Sequence, residues 1–282
     1  MIRHHCRVHL YKVLGKVLLV FLFVCVLAVG VSCTRHNDAD HVSQPERVAD
    51  VTPPVEATAE LVSRRFGTLT GRVIYRGPLP GSTTMYISEA GDIEAHTIIV
   101  DAKTGGLKNS AVWVEGAETR MPIAEVKPAT LDQRHWAFVP HVLTLRVGQE
   151  VAFLNSDLAN HNVHAENMGY QFNFATPTGG DLTRRFDRPT NGQPVRIACD
   201  VHTWMLAWLY VFDHDAFATT DASGQFRIDN IAAGSQVLHV HHADGNLAAR
   251  LEVDVAPDAV TDVTIEARKP DSTPSGALNA RH

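Results

Sequence analysis

Through the middle of the chain the apolar positions recur every second residue, the period of a half-buried β-strand. Thr68-Leu69-Thr70-Gly71-Arg72-Val73-Ile74-Tyr75 is rich in strand formers and stops at the Gly77/Pro78/Pro80/Gly81 cluster. Thr97–Val100 and Ala111–Val114 read as further strands. Val142–Val147 alternates up to a Gly148-Gln149 turn, and Glu150–Leu154 resumes the alternation. Val195–Ala198 and Ala207–Phe212 flank a short loop. No long stretch carries the period of an amphipathic helix. Short strands at this spacing predict an all-β chain organised as a β-sandwich.

From Asp213 the texture changes. Thr219-Thr220-Asp221-Ala222-Ser223-Gly224-Gln225-Phe226 predicts strand, turn and strand, and Ile231–Gly234 a bend. Gln236–His241, Leu251–Val255 and Val260–Ala267 complete the pattern. Residues 213–268 suffice for a small second sandwich, although a domain of about 55 residues is marginal alone. This module is therefore expected to pack on the first.

The two ends read differently. Residues 1–32 carry Arg3, Arg7, Lys12 and Lys16, no acid, and an apolar run from Val17 to Val31. That is the layout of an export signal, and the run is short of the about 20 residues that span a bilayer. Leu27, Ala28 and Gly30-Val31-Ser32 leading into Cys33 resemble a bacterial lipoprotein cleavage box, although Gly30 replaces the usual branched aliphatic. The resemblance implies lipidation at Cys33 and a chain tethered outside the cytoplasm, in the periplasm or on the cell surface. An uncleaved anchor would give the same sidedness. Residues 33–65 are polar, with Pro45, Pro53 and Pro54, and read as a flexible linker; residues 269–282 read as a frayed tail.

Loss of the first 32 residues removes four bases and no acid, taking the net charge from −6 to −10. That argues against nucleic acid, which recruits basic patches. Of the four cysteines, Cys6 and Cys25 leave with the signal and Cys33 would be acylated. Cys199 then stands alone in an oxidising compartment, where no intramolecular disulfide is open to it. A soft, solitary thiolate points to a metal.

Cys199-Asp200-Val201-His202-Thr203-Trp204-Met205 has the spacing C-x2-H-x2-M. Thiolate, imidazole and thioether from one tight loop suit copper, because Cu(I) prefers soft sulfur and Cu(II) accepts imidazole nitrogen. Two histidines and one cysteine with a weak axial methionine serve both states, so a second histidine must arrive from elsewhere. Its source is Asn155–His164, which offers His161 and His164. Residues three apart on a strand point to opposite faces, so one of the two faces inward.

Phe138-Val139-Pro140, Leu145, Val147-Gly148, Val151-Ala152-Phe153, Asn155, Asp157 and His161-Asn162-Val163-His164, followed by the C-x2-H-x2-M loop, resemble plastocyanins and above all amicyanins. The resemblance implies a cupredoxin Greek-key β-sandwich over residues 66–212, with residues 66–120 least certain of a place in it. It implies one copper per chain, cycling between Cu+ and Cu2+. His161, Cys199, His202 and Met205 would be the metal ligands, with Asn162 tying the ligand loop to the neighbouring strand. Val201 replaces the proline common before the second histidine, so its N–H is expected to reach the Cys199 sulfur and lower the potential; Asp200 adds negative charge nearby. Residues 213–268 resemble carboxypeptidase regulatory-like, transthyretin-like sandwiches, which say almost nothing about function. Chains joining the two modules are often labelled methylamine-utilisation-like.

The expected role is one-electron transfer with a redox partner protein rather than catalysis, since Met205 fills the position that substrate would need. No catalytic residues are assigned, and no Ser-His-Asp order, paired acid–base geometry or nucleotide fingerprint stands out. A copper-delivery lipoprotein and an interaction scaffold with structural copper are the rivals. His239 and His241 share one face of an expected strand, beside His242, and raise the question of a second metal. Trp204 shields the copper or packs against the loop, Trp136 and Trp208 are expected in the core, and His135, His141 and His214 have no evident partner.

Overall fold

A computed structural model describes residues 65–78, 83–88, 91–95, 98–118 and 122–270. The expected signal, Cys33 and almost all of the linker and tail lie outside them. Among the described residues the fold is all-β, with one short 3-10 turn at Ile123–Glu125, and no helix is long and apolar enough to cross a membrane. The first strands are β1 (Phe66–Ile74), β2 (Thr83–Ile87), β3 (Gly91–Ala95), β4 (Ala111–Val114), β5 (Ala129–Arg134) and β6 (Ala137–Val139). β7 (Val142–Arg146), β8 (Gln149–Asn155), β9 (His161–Ala165), β10 (Phe172–Thr176), β11 (Asp181–Phe186) and β12 (Val195–Ala198) follow. The last are β13 (Leu206–Phe212), β14 (Phe217–Thr219), β15 (Gln225–Ala232), β16 (Gly234–His242), β17 (Leu247–Val255) and β18 (Val260–Glu266).

Sheets of order β10-β9-β12-β13-β7 and β11-β8-β5-β6 enclose one core. Alternation supplies it: Val151 and Phe153 from β8, Val195 and Ile197 from β12, and Ala207, Leu209 and Val211 from β13 all point inward and are fully buried. Burying a side chain such as Phe153 contributes about 1.5–3 kcal/mol. Cys199 and Met205 belong to the same core, at the end of the sandwich where β12 turns into β13.

Sheets β15-β1-β18 and β14-β4-β16-β17 enclose a second core of Leu69, Val73, Val112, Val114, Phe226, Ile228, Leu238, Val240 and Ile265. This redraws the expected boundaries. β1 pairs antiparallel with β15 and parallel with β18, and β4 pairs with β14 and β16. β1 and β4 thus complete the sandwich of residues 213–268 and not the one that carries the cysteine. The physical reason is the marginal size already noted: β1 buries every second residue against the later strands and gives them the apolar face they lack. Gly106 lies so close to the Ser223 backbone that a Cβ there would sit 1.9 Å from its carbonyl oxygen, so only glycine fits that crossing.

β13 is shared. Its odd-numbered residues face the first core, while Trp208, Tyr210 and Phe212 meet Ala111, Trp113, Val142 and Phe217 in a seam between the two sandwiches. Burial on both faces explains why β13 reads as an almost unbroken apolar run instead of an alternating one.

Candidate metal centre

Two neighbouring strands deliver the donors. β12 ends at Ala198, and the Cys199 N–H donates to Met205 O (3.2 Å) while Met205 N–H donates to His202 O (2.8 Å), closing a tight hairpin loop before β13. β9 lies beside β12, with Ala198 opposite His164. His161 begins β9, and Asn155 Nδ2 holds the loop before it by donating to Ala159 O (2.8 Å) and Thr176 O (2.7 Å).

His161, Cys199 and His202 each place one donor atom within 4.8 Å of the other two. The two histidine Nδ1 atoms are 2.8 Å apart, and Cys199 Sγ lies 3.6 Å from His202 Nδ1. Among the described residues this is the one such group. His161 and Cys199 are 2% and 1% exposed, whereas His202 is half-buried. Met205 is buried in the core that also holds Cys199.

His161 is oriented from behind. Its Nε2 lies 3.1 Å from Asp157 Oδ2. An ionised carboxylate only accepts, so Nε2 carries the proton and Nδ1 turns its lone pair toward Cys199 and His202. Asp157 is placed by its own N–H, which donates to Asn155 Oδ1 at 3.0 Å, an Asx-type turn. Carboxylate behind histidine in front of a metal is a recurrent way to fix tautomer and ring orientation. Asp157 had no assigned role in the sequence; its place four residues before His161 is the signal.

Asn162 bridges the two ligand-bearing segments: its Oδ1 accepts the Asp200 N–H (2.7 Å) and the Cys199 thiol hydrogen (3.2 Å). Val201 is exposed, and the sulfur's hydrogen bonds are to Asn162 and His202; the expected Val201 amide bond is not among them. His164 faces away from the cluster. Its Nδ1 meets Asp200 Oδ1 at 2.8 Å, while Asn162 and Asn173 donate to Asp200 Oδ2. The His164 hydrogen bond, then those of Asn173 and Asn162, hold the Asp200 carboxyl below its ordinary range, so it stays ionised beside the loop.

Trp136, expected in the core, is half-buried and makes T-shaped contacts with His202 (5.1 Å between ring centres) and His161 (5.7 Å). Trp204 lies 5.2 Å from His202 on a tilted plane. Trp208 is half-buried in the seam. The histidines of β16 are taken by other partners: His239 Nε2 by Glu115 (2.9 Å) and His241 Nδ1 by the Tyr210 hydroxyl (2.8 Å). His141 Nε2 pairs with Asp244 at 2.8 Å, and His214 Nδ1 accepts the Ala216 N–H.

No family model and no curated protein matches the chain. Among solved structures it is similar to the Cu-containing nitrite reductase from Thermus scotoductus SA-01, at 24% identity and TM-score 0.27, over 34% of this chain and 24% of that one. The chain thus spans under a quarter of the reductase it matches. It is similar to a purple cupredoxin from Nitrosopumilus maritimus at 20% identity and TM-score 0.26, over 30% of this chain and 99% of that one. A Cu(I) form of an amicyanin mutant matches at 18% identity and TM-score 0.27, over 36% and 98% of the two chains. Likeness at these scores carries no argument, so function is read from the donor cluster.

Proposed function

We propose that the chain is a type 1 (blue) copper protein of cupredoxin kind, tethered outside the cytoplasm through Cys33, that passes single electrons to and from a redox partner protein. One observation carries this reading: a buried thiol and a buried imidazole meet a second, half-buried imidazole in one cluster, with Asp157 behind the buried imidazole. The donor set fits copper, because it pairs one soft sulfur with two borderline nitrogens. When bound, copper supplies a one-electron Cu+/Cu2+ couple.

The chain's own residues do the rest. Cys199 would hold the metal through its sulfur, the soft donor of the set. His161, clamped by Asp157, offers Nδ1 without having to reorient. Met205 would add a thioether donor in this reading, leaving no open position for substrate, which favours a carrier over a catalyst. His202, the least buried of the three converging donors, lies on the side a partner would approach. The burial of Cys199 and His161 keeps water off the cluster and favours electron transfer over copper delivery, which needs donors that a recipient can reach.

The visible spectrum of the purified chain with one equivalent of Cu(II), beside Cys199→Ser, tests the reading. An intense thiolate-to-copper band is expected in the first and none in the second, with the band bleached by ascorbate. A pale solution indifferent to Cys199 would overturn it.

A further inference from the structure

The turn between β5 and β6 is built from residues that ill suit it. Arg134 pairs with Ala137, so His135 and Trp136 alone connect the two strands. Both sit in the left-handed region, at φ 55° and 61°. Two-residue hairpins of this geometry favour Asn and Gly, because a Cβ crowds the following carbonyl there. A tryptophan is an adverse choice on conformational grounds. Such strain persists where the surroundings over-determine it, and it gathers where a side chain has a task.

Here the surroundings are the parts that carry the donor cluster. Asp157 Oδ1 accepts the His135 N–H at 2.7 Å, and Asp157 Oδ2 accepts the Trp136 N–H at 3.0 Å. The same Oδ2 faces His161 Nε2. From the other side, Trp204 Nε1–H donates to Trp136 O at 3.1 Å. The turn is thus tied to the segment before His161 and to the loop between His202 and Met205. What those ties hold in place is an indole set edge-on to both histidine rings, 5.1 and 5.7 Å away.

Resting on the copper reading, we infer that Trp136 is the access and retention residue of the site. Cys199 and His161 are buried, so a chelator or water molecule must approach from the half-buried His202 side. Copper leaves by ligand substitution, which needs an incoming donor atom. The Trp136 indole covers that approach, offers no lone pair in the ring plane, and excludes water from the ligand it touches. Trp136 is a positioning and shielding residue, not a ligand.

The test is transfer of Cu(I) from the loaded full chain to excess bicinchoninate, alongside the melting temperature of the metal-free protein. Trp136→Gly removes the indole and relieves the turn; it should release copper roughly tenfold faster, the upper range of one aromatic pair contact, while the metal-free fold is as stable or more so. Trp136→Asn, also suited to the turn, should release copper as fast. His135→Gly relieves the turn but keeps the indole; it should raise stability and leave the transfer rate unchanged. Release by Trp136→Gly within twofold of wild type would overturn the inference, as would equal acceleration by His135→Gly, since the turn and not the indole would then control exchange. Wild-type protein without a thiolate-to-copper band sinks the copper reading and this inference together, whereas a normal band with unaltered exchange sinks the inference alone.

Discussion

Two carboxylates in this protein, each with its side chain mostly covered, grip the same kinds of partner. Asp157 holds His161 through Nε2 and Trp136 through its backbone N–H. Asp244 holds His141 through Nε2 (2.8 Å) and Trp208 through the indole N–H (2.8 Å). The first clamp stands at one end of the first sandwich, the second in the seam between the two. They differ in what the histidine faces. The far nitrogen of His161 meets a second imidazole and lies in one cluster with a thiol, so fixing it completes a donor group that could hold a metal. Among the described residues His141 has no thiol in range of such a cluster, and its clamp joins the residue before β7 to the loop after β16. A carboxylate–histidine pair is therefore an orienting device, and the third donor decides whether it serves chemistry or cohesion.

The comparison is broken most directly by neutralising each carboxylate in turn. Asp244→Asn leaves His141 and Trp208 facing a poorer acceptor in a buried place, and the loss should be about 3 kcal/mol of stability, the low end for a broken buried pair because His141 is partly exposed. Urea unfolding of the metal-free protein reads that loss, and the copper spectrum should not change. Asp157→Asn should weaken copper binding by about 10–100-fold, the usual cost of losing the partner behind a metal-bound histidine, with a smaller loss of fold stability. If Asp157→Asn instead lowered stability more than copper affinity, the two clamps would be one kind of device.

How much of this was legible in the sequence depends on whether the signal is local. The C-x2-H-x2-M loop and the strand before His161 are local, and the structure gathers His161, Cys199 and His202 into one cluster. Strand alternation allowed only one of His161 and His164 to face inward and the resemblance chose His161; the structure turns His164 away to Asp200. The parallel pairing of β1 with β18 is not local: nearly 200 positions separate Thr68 from Val260, and no periodicity within Thr68–Tyr75 names its partner. The role of Trp136 was hidden for a related reason. A turn of His135-Trp136 carries none of the Asn or Gly that announces a hairpin, because the ties that hold it come from Asp157 and Trp204.

Acid sharpens the same contrast. Burial holds His241 and His242 below their ordinary 6.5, opposed by an Asn246 hydrogen bond at His241 and by the Asp244 charge at His242, which the neighbouring His141 and His241 weaken. Burial pushes the Asp244 carboxyl up, and the hydrogen bonds of His141 and Trp208 outweigh it, leaving Asp244 below its ordinary value. Facing these groups are His141, Tyr210 and one another. The sign follows from the histidines: below about pH 6.5 the unfolded chain binds protons that the folded seam refuses, so stability falls as pH falls. The Asp244 pair opposes nothing in that window, because its contribution is lost only below the unfolded carboxylate value of 3.8. Melting of the metal-free protein should therefore drop steadily from pH 7 to pH 5. A flat profile would mean that the seam admits protons without opening.

The smallest expected effect isolates a single bond of the seam. Burial pushes the Tyr210 hydroxyl up, so it keeps its proton, and it shares a 2.8 Å hydrogen bond with His241 Nδ1. Tyr210 stacks on Phe212, whose ring lies 6.5 Å away, and both belong to the cluster that joins β13 to the second sandwich. Tyr210→Phe keeps that ring and deletes only the hydroxyl, removing the Tyr210–His241 hydrogen bond. The net loss of one such bond is about 1 kcal/mol, or roughly 2–4 °C in melting temperature for a chain of this size. Because Leu209 and Val211, on the opposite face of the same strand, line the core that holds Cys199, the spectrum of the copper form tests whether the seam is felt across β13. An unshifted thiolate band beside a lowered melting temperature would make the strand a rigid partition, with cohesion on one face and metal chemistry on the other. A shifted band would make it a coupling element through which the second sandwich tunes the metal.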